Sequence, residues 1–516
     1  MPKPFQNEPI LDYSRAENRR KMERALARVR KQLGREYPLV IGGKNVRTGD
    51  KLRSLNPAEP DQVVAVFNKA DISKADQAMK AALRAFETWR FTPARERANV
   101  LFKAARIMRR RRFELNAWMV FEVGKNFTEA DADVAETIDF LEFYGREMLR
   151  YAARQPVTPV KGEKNMLEYI PLGVGIVIPP WNFPLAILVG MTSAAIVSGN
   201  TVILKPSSDS PMMGWLATEI LREAGVPDGV LNFLPGPGSS VGDYLVKHPK
   251  TRFISFTGSM EVGLRINEMA ARMSPGQIWI KRVVAEMGGK DAIIVDAEAD
   301  IDDAVNGVLT SAFGFQGQKC SACSRAIIDQ KVYKEFTEKL VAKVKEITVD
   351  DPVTNAYMGP VINKAAQQNI LKYIKIGLKE KGKLLTGGEK IDRPGWFIQP
   401  TVIGNVKPNH TIAQEEIFGP VLALIKAKDY DNALKIANGT IYGLTGSVYT
   451  NNPDKMERAR REFHVGNLYF NRKCTGALVG GHPFGGFNMS GTDSKAGGRD
   501  YLLLFMQAKS VSRKLK

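Results

Sequence analysis

Between Gly173 and Ala285, short runs of apolar residues alternate with helical stretches. This alternation constrains the fold more than any other feature. Val174–Ile178, Thr201–Leu204, Val230–Leu234, Phe253–Phe256 and Val283–Ala285 read as short buried strands. The segments near Met212–Ala224, Ser240–Lys247 and Glu261–Ala271 read as intervening helices. Strands that alternate with helices predict a parallel sheet with crossover connections. Ile170 to Leu204 contains no charged residue, which is long enough to raise the question of a membrane span. Pro171, Pro179, Pro180, Pro184 and four glycines interrupt it. A lipid-exposed helix would leave backbone groups unpaired there. A buried strand, an active-site loop and a buried helix are expected instead.

A second strand and helix series begins at Ala292–Val295 and continues through Arg325–Asp329 to about Gly446. At 516 residues the chain is too long for one ordinary core, so two or three domains are expected. Residues 1–50 are polar and basic and read as an arm or short-helix region. Ser73 followed by Asp76 fits a capping box for a helix carrying Ala75, Met79, Ala82, Phe86 and Trp89. Glu136 and the run Arg109–Arg112 read as solvated helix faces. Gln155–Tyr169 reads as a hairpin or crossing linker, and Tyr501–Ser512 as a piece that pairs at a subunit edge.

Lys and Arg number 74 against 55 Asp and Glu, a net charge of +19. The basic residues are spread along the chain, and no zinc-finger spacing or basic-aromatic RNA motif accompanies them. A basic enzyme surface that attracts anionic small molecules is expected, with no nucleic-acid partner. Three cysteines, an odd and low count, argue for a reducing compartment, here the cytoplasm. The first residues hold no apolar stretch, so no secretory leader is expected.

Two glycine motifs bear on a cofactor. Gly236 to Gly242 spells G-x-G-x-x-x-G after a predicted strand, one residue off the dinucleotide fingerprint. Gly258 to Gly263 mimics P-loop spacing, but Leu264 and Arg265 replace the required Lys and Ser/Thr. The remaining reading is a tight turn that sets a pyrophosphate at a helix N-terminus. Simple strand-to-helix turns explain either motif equally well in isolation.

Cys320 lies in Phe-Gly-Phe-Gln-Gly-Gln-Lys-Cys-Ser and Glu286 in Glu-Met-Gly-Gly-Lys. A thiol among glycines suits attack on a carbonyl. A carboxylate on a separate glycine-bounded segment suits activation of water. Cys323 makes a C-x-x-C with Cys320, but no second ligand pair exists, so no metal site is expected.

The Cys320 and Glu286 motifs resemble the aldehyde dehydrogenase superfamily over about residues 8–510. That resemblance implies a Rossmann-like parallel-sheet cofactor domain (1–154 and 171–287), an α/β catalytic domain (288–490) and a small β oligomerisation flap (155–170 and 491–516). It implies Cys320 as nucleophile, with its pKa lowered by an electropositive or helix-terminal site. Asn182 of Pro-Trp-Asn-Phe would hold the oxyanion together with the Cys320 N–H, and Glu286 would serve as base for the hydrolytic water. It implies that Lys205, Gly242, Gly258, Ser259, Glu416 and Phe418 hold NAD. Ser208 replaces the Glu of many members. Without that carboxylate NADP is less firmly excluded.

The stretches Gly466–Arg472, Thr475–Ala477 and Pro483–Phe487 are similar to the pyrroline-5-carboxylate dehydrogenase branch of that superfamily. The likeness implies oxidation of L-glutamate γ-semialdehyde to glutamate. Ser321, Gly476 and Ala477 would anchor the substrate α-carboxylate, where neutral loop donors suffice. It also implies a homo-oligomer, a dimer or an assembly of dimers, with proline dehydrogenase as metabolic partner.

Overall fold

The computed structural model describes residues 3–516; Met1 and Pro2, which open the expected arm, lie outside the described residues. The first sheet has seven strands, ordered Arg282–Glu286, Thr251–Thr257, Val174–Ile178, Thr201–Leu204, Leu231–Phe233, Leu39–Ile41 and Lys44–Val46. The first five run parallel, as the sequence rhythm predicts, and the last two join antiparallel. From Val174–Ile178 the chain builds outward to Leu231–Phe233. It then returns to the other side for Thr251–Thr257 and Arg282–Glu286. The order therefore reverses at the carboxyl end of Val174–Ile178. Open parallel sheets bind ligands at such a point. Pro179-Pro-Trp-Asn182 follows immediately.

The second sheet is ordered Lys383–Thr386, Thr401–Gly404, Val421–Ala427, Arg325–Asp329, Ala292–Val295, Thr445–Tyr449 and Asn467–Phe470. All its strands are parallel except Lys383–Thr386. Met287 to Asp291 carries the chain directly from the carboxyl end of one sheet to the amino end of a strand in the other. The functional groups gather around this crossing.

The uncharged run Ile170 to Leu204 folds as the strand Val174–Ile178, a loop, the buried helix Ala186–Val197 and the strand Thr201–Leu204. Among the described residues no helix is long and apolar enough to cross a membrane. Two long helices, Ala94–Val123 and Phe127–Ala152, pack against each other and against Ala186–Val197. Gly124, left-handed at φ 71°, ends the first, and Asn126 caps the second by accepting from the Glu129 N–H.

Several local expectations are corrected. Of the arm or short-helix readings for the N-terminal region, the helix is met by Ala16–Arg30, while Leu39–Ile41, which neither reading included, belongs to the first sheet. The helix Ile72–Trp89 starts earlier than the capping box suggested. Asp71 caps it, accepting from the Lys74 N–H at 2.8 Å, so Ser73 lies inside the first turn. Glu163–Pro171 pairs antiparallel with Met506–Lys514 of the same chain, so the linker forms no hairpin and the C-terminal piece finds its partner internally. Of the stretch 491–516 assigned to the flap, only Met506–Lys514 joins it. Gly491 instead bridges Glu286, and Tyr501 lines the central cavity.

Candidate active site

Three candidate groups stand at carboxyl ends of first-sheet strands. Lys205 follows Thr201–Leu204, Gly258 and Ser259 follow Thr251–Thr257, and Glu286 ends its own strand. Asn182 lies four residues beyond Val174–Ile178 and is buried. Its side-chain amide donates to the Gln318 carbonyl at 3.0 Å, which aims it at the Cys320 loop.

That loop is unusual in its backbone. Phe315 and Gln316 sit at φ 49° and 56°, a left-handed conformation that side-chain-bearing residues rarely adopt. Gln316 is held there by donating to the carbonyls of Gly124 and Pro360. The Lys125 ammonium lies 4.8 Å from the Phe315 ring and 4.2 Å from that of Phe183. It also pairs with Asp133 at 2.7 Å, both side chains fully buried. Asp133 in turn accepts from the Ala186 N–H at 2.6 Å, just past Asn182. One buried ion pair thus braces both the amide loop and the thiol loop.

The glycines of Glu286-Met-Gly-Gly-Lys allow two close approaches. A Cβ on Gly288 would fall 2.1 Å from Glu416 Oε2, and one on Gly289 would fall 2.4 Å from the Cys320 carbonyl oxygen. The segment after Glu286 is therefore pressed directly against both the thiol loop and the Glu416 carboxyl.

Cys320, Glu286, Ser321, Gly476 and Ala477 line one cavity, walled further by Phe183, Phe140 and Phe484. Burial pushes the Glu286 carboxyl up to about 7; Ser494 Oγ and the Gly486 N–H donate to it and oppose that rise. Cys320 departs from expectation. Its pKa is raised, first by burial and then by Asp291, Glu416 and Glu286. Carboxylates surround the thiol where an electropositive setting was expected. The Ser321 N–H, which hydrogen-bonds it, is the group that favours its thiolate.

Glu136 also departs from expectation: it faces this cavity, and burial raises its carboxyl to about 8. Of the Arg109–Arg112 run, Arg112 is buried and grips Asp131 through Nε and Nη2. Cys323 and Cys474 are buried free thiols, and among the described residues no group of side chains could hold a metal ion.

The anchor loop after Asn467–Phe470 is held on its outer side. Arg472 donates to the carbonyls of Thr475 and Gly476, each at 3.1 Å, and Gly476 adopts φ 75°. His482 Nδ1 accepts from the Leu478 N–H at 3.1 Å. Among the described residues the N–H groups of Gly476 and Ala477 meet no acceptor in the protein. Sequence reading missed Lys125, Asp133, Ser494, Arg472 and His482. Lys125, Asp133 and Ser494 act on loops distant in sequence, whereas Arg472, though part of a quoted motif, and His482 brace their own loop, a role that spacing alone does not reveal.

The remaining candidates fit a dinucleotide. Lys205 is buried, with its pKa lowered by burial to about 8; Nζ donates to the carbonyls of Pro206 and Gly236, leaving one donor of three. Gly242 lies beside Lys205, where a Cβ would make an ordinary contact at 3.5 Å from Cε. Its motif forms a wide turn and a helix of only five residues, Asp243–Lys247. Gly258 and Ser259 instead open the twelve-residue helix Met260–Ala271, the better place for a pyrophosphate. Ser208 is exposed on the turn after Lys205. Glu416 Oε1 accepts from the Gly289 N–H at 3.0 Å, and Phe418, at φ 58°, packs edge-on to Trp181.

A twin-sheet fold with a thiol, an amide and a carboxylate at the junction defines a dehydrogenase of the covalent, aldehyde-oxidising class. The chain belongs to the aldehyde dehydrogenase family, whose model matches residues 45–511. It is 58% identical to 1-pyrroline-5-carboxylate dehydrogenase of Geobacillus thermodenitrificans over 513 residues, covering 99% of both chains. The Bacillus cereus enzyme of the same name is 56% identical over 512 residues. The solved structure of the 1-pyrroline-5-carboxylate dehydrogenase from Thermus with bound NAD superposes with a TM-score of 0.98, at 53% identity and 99% coverage of each chain. Proline utilization A of Bdellovibrio bacteriovorus is 46% identical with a TM-score of 0.97, this chain spanning 54% of that one.

Proposed function

We propose that this protein oxidises L-glutamate γ-semialdehyde, the open form of 1-pyrroline-5-carboxylate, to L-glutamate with NAD. The observation that carries this reading is a single cavity lined at once by Cys320, Glu286 and the Ser321, Gly476 and Ala477 set. The Cys320 sulfur adds to the aldehyde carbon. The oxyanion so formed is met by the Asn182 amide and the Cys320 N–H, one such donor contributing roughly 3–4 kcal/mol. NAD, when bound, supplies the hydride acceptor. Lys205 and Glu416 would hold its two riboses, and Phe418 would lie beside its nicotinamide. The acyl group is left on the Cys320 sulfur. Glu286, its carboxyl near neutrality in pKa, takes a proton from the water that cleaves it. The idle N–H groups of Gly476 and Ala477, with Ser321, receive the α-carboxylate.

In proline breakdown the semialdehyde would come from a proline dehydrogenase, a metabolic partner. The free thiols favour a cytoplasmic setting. The flap sheet of Glu163–Pro171 and Met506–Lys514 keeps outer edges for a second copy, so a dimer or an assembly of dimers is the expected form. With Ser208 exposed and no carboxylate in its place, NADP is not repelled there, and its use is to be measured beside NAD.

The test is to mix protein, 1-pyrroline-5-carboxylate and either cofactor and follow reduced nicotinamide. Turnover with NAD is expected. No turnover, alongside brisk oxidation of succinate semialdehyde, would reject this substrate in favour of a different semialdehyde.

A further inference from the structure

We propose that the N-terminal segment around Asn7 is a positioning element for the substrate-anchor loop. The inference rests on the reading of Gly476 and Ala477 as a carboxylate anchor. Several backbone groups of that loop are taken by partners outside the cavity. Arg472 takes the carbonyls of Thr475 and Gly476, His482 the N–H of Leu478, and the Gly497 carbonyl the N–H of Gly480 at 2.9 Å. The carbonyl of Val479, two residues past Ala477, is taken by Asn7. Its Nδ2 donates there at 3.0 Å and to Asp139 Oδ2 at 2.8 Å. An amide NH₂ has two hydrogens, and both are used.

Asp139 also accepts from the Glu8 N–H at 2.7 Å, so the segment is bound to the helix Phe127–Ala152, whose Glu136 faces the cavity. Further along, Leu11 N–H donates to Asp131 at 2.7 Å and Arg112 donates to the Pro9 carbonyl at 2.8 Å. Phe5 packs edge-on to Phe143 at 5.2 Å. Gly480, left-handed at φ 78°, lies under both rings, and a Cβ there would fall 3.2 Å from Phe5 and 3.1 Å from Phe143. The segment thus clamps the far end of the anchor loop against a rigid helix. It touches neither substrate nor cofactor. Its effect is to keep the Gly476 and Ala477 N–H groups aimed into the cavity.

The test compares Asn7→Ala and the double variant Phe5→Ala/Asn7→Ala with the unaltered protein. Two aldehydes are used: glutamate semialdehyde, and propanal, which has no carboxylate to anchor. KM for glutamate semialdehyde should rise about three- to tenfold in the single variant, the range of one net hydrogen bond, and further in the double. The kcat with that substrate, KM for NAD and kcat/KM for propanal should stay within about twofold. An unchanged KM for glutamate semialdehyde overturns the proposal. So does an equal loss on both aldehydes, which would mark a general structural role. If the unaltered protein shows no preference for the semialdehyde over propanal, the anchor reading itself fails and the proposal with it.

Discussion

At the scale of single residues, Glu286 carries the sharpest consequence. Burial holds its carboxyl at about 7, and only the deprotonated form can accept a proton from water. Hydrolysis of the Cys320 acyl group should therefore climb as pH rises through about 7 and level off above. Single-turnover NADH formation compared with steady-state turnover separates this step from the earlier ones. In Glu286→Gln a burst of NADH followed by near-arrest is expected; loss of the burst itself would place Glu286 earlier in the reaction. Ser494 gives a second handle. Its hydroxyl donates to the Glu286 carboxylate and favours the charged form. In Ser494→Ala the acid limb of the hydrolysis profile should move to higher pH, and a move the other way would contradict the arrangement. Cys320 and Glu286 were singled out in the sequence because each lies in a glycine-bounded run that resembles a family motif, and both line one cavity. Ser494 was not, because it reaches Glu286 from 208 positions away on a loop with no periodicity. The surroundings of Cys320 were misjudged for the same reason: Asp291 and Glu416 come to the thiol only through folding.

At the scale of elements, the buried pair Lys125–Asp133 joins the turn between two long helices to the loops bearing Asn182 and Cys320. Lys125→Met leaves Asp133 without a counter-charge at zero exposure, a loss of about 3–5 kcal/mol in stability. Denaturant unfolding measures it, and a midpoint equal to that of the unaltered protein would show that the pair braces nothing. The five parallel strands of the first sheet, with Ala292–Val295 and Arg325–Asp329 of the second, were legible because short apolar runs bounded by turn residues have few alternatives; Leu39–Ile41, Lys44–Val46 and the remaining strands of the second sheet were not delimited. The helix start at Ile72 was not, since Asp71 and Ser73 offer similar caps and only the backbone decides between them. Glu136 was read as solvated because a lone carboxylate on a helix usually is. The helix Phe127–Ala152 is instead enclosed on most sides, and its polar residues are spent on the cavity, on Lys125 and on the N-terminal segment. The pairing of Glu163–Pro171 with Met506–Lys514 joins segments from distant parts of the chain, and nothing in either stretch names the other.

At the scale of the whole molecule, a basic surface encloses a site whose carboxyls burial pushes toward the neutral form. The chain carries +19 overall, yet Glu136, Glu286, Asp291 and Glu416 are clustered in or behind the cavity. The proposed anchor for the carboxylate consists of neutral N–H groups, so local ion pairing does little to draw the substrate in. The long-range field of the basic surface acts on NAD, a net anion, and little on the semialdehyde, whose α-ammonium and α-carboxylate cancel. A field of this kind acts on encounter and is screened by salt, with a Debye length of about 10 Å at 0.1 M and about 3 Å at 1 M. kcat/KM for NAD should therefore fall several-fold as ionic strength is raised from about 0.01 to 0.3 M, while kcat, set after encounter, holds nearly constant. An uncharged aldehyde such as propanal supplies the control: its kcat/KM should be flat across the same salt series with NAD saturating. If the values for NAD and propanal respond alike, salt is acting on the protein and not on the approach of an anion, and the basic surface has no part in gathering the cofactor.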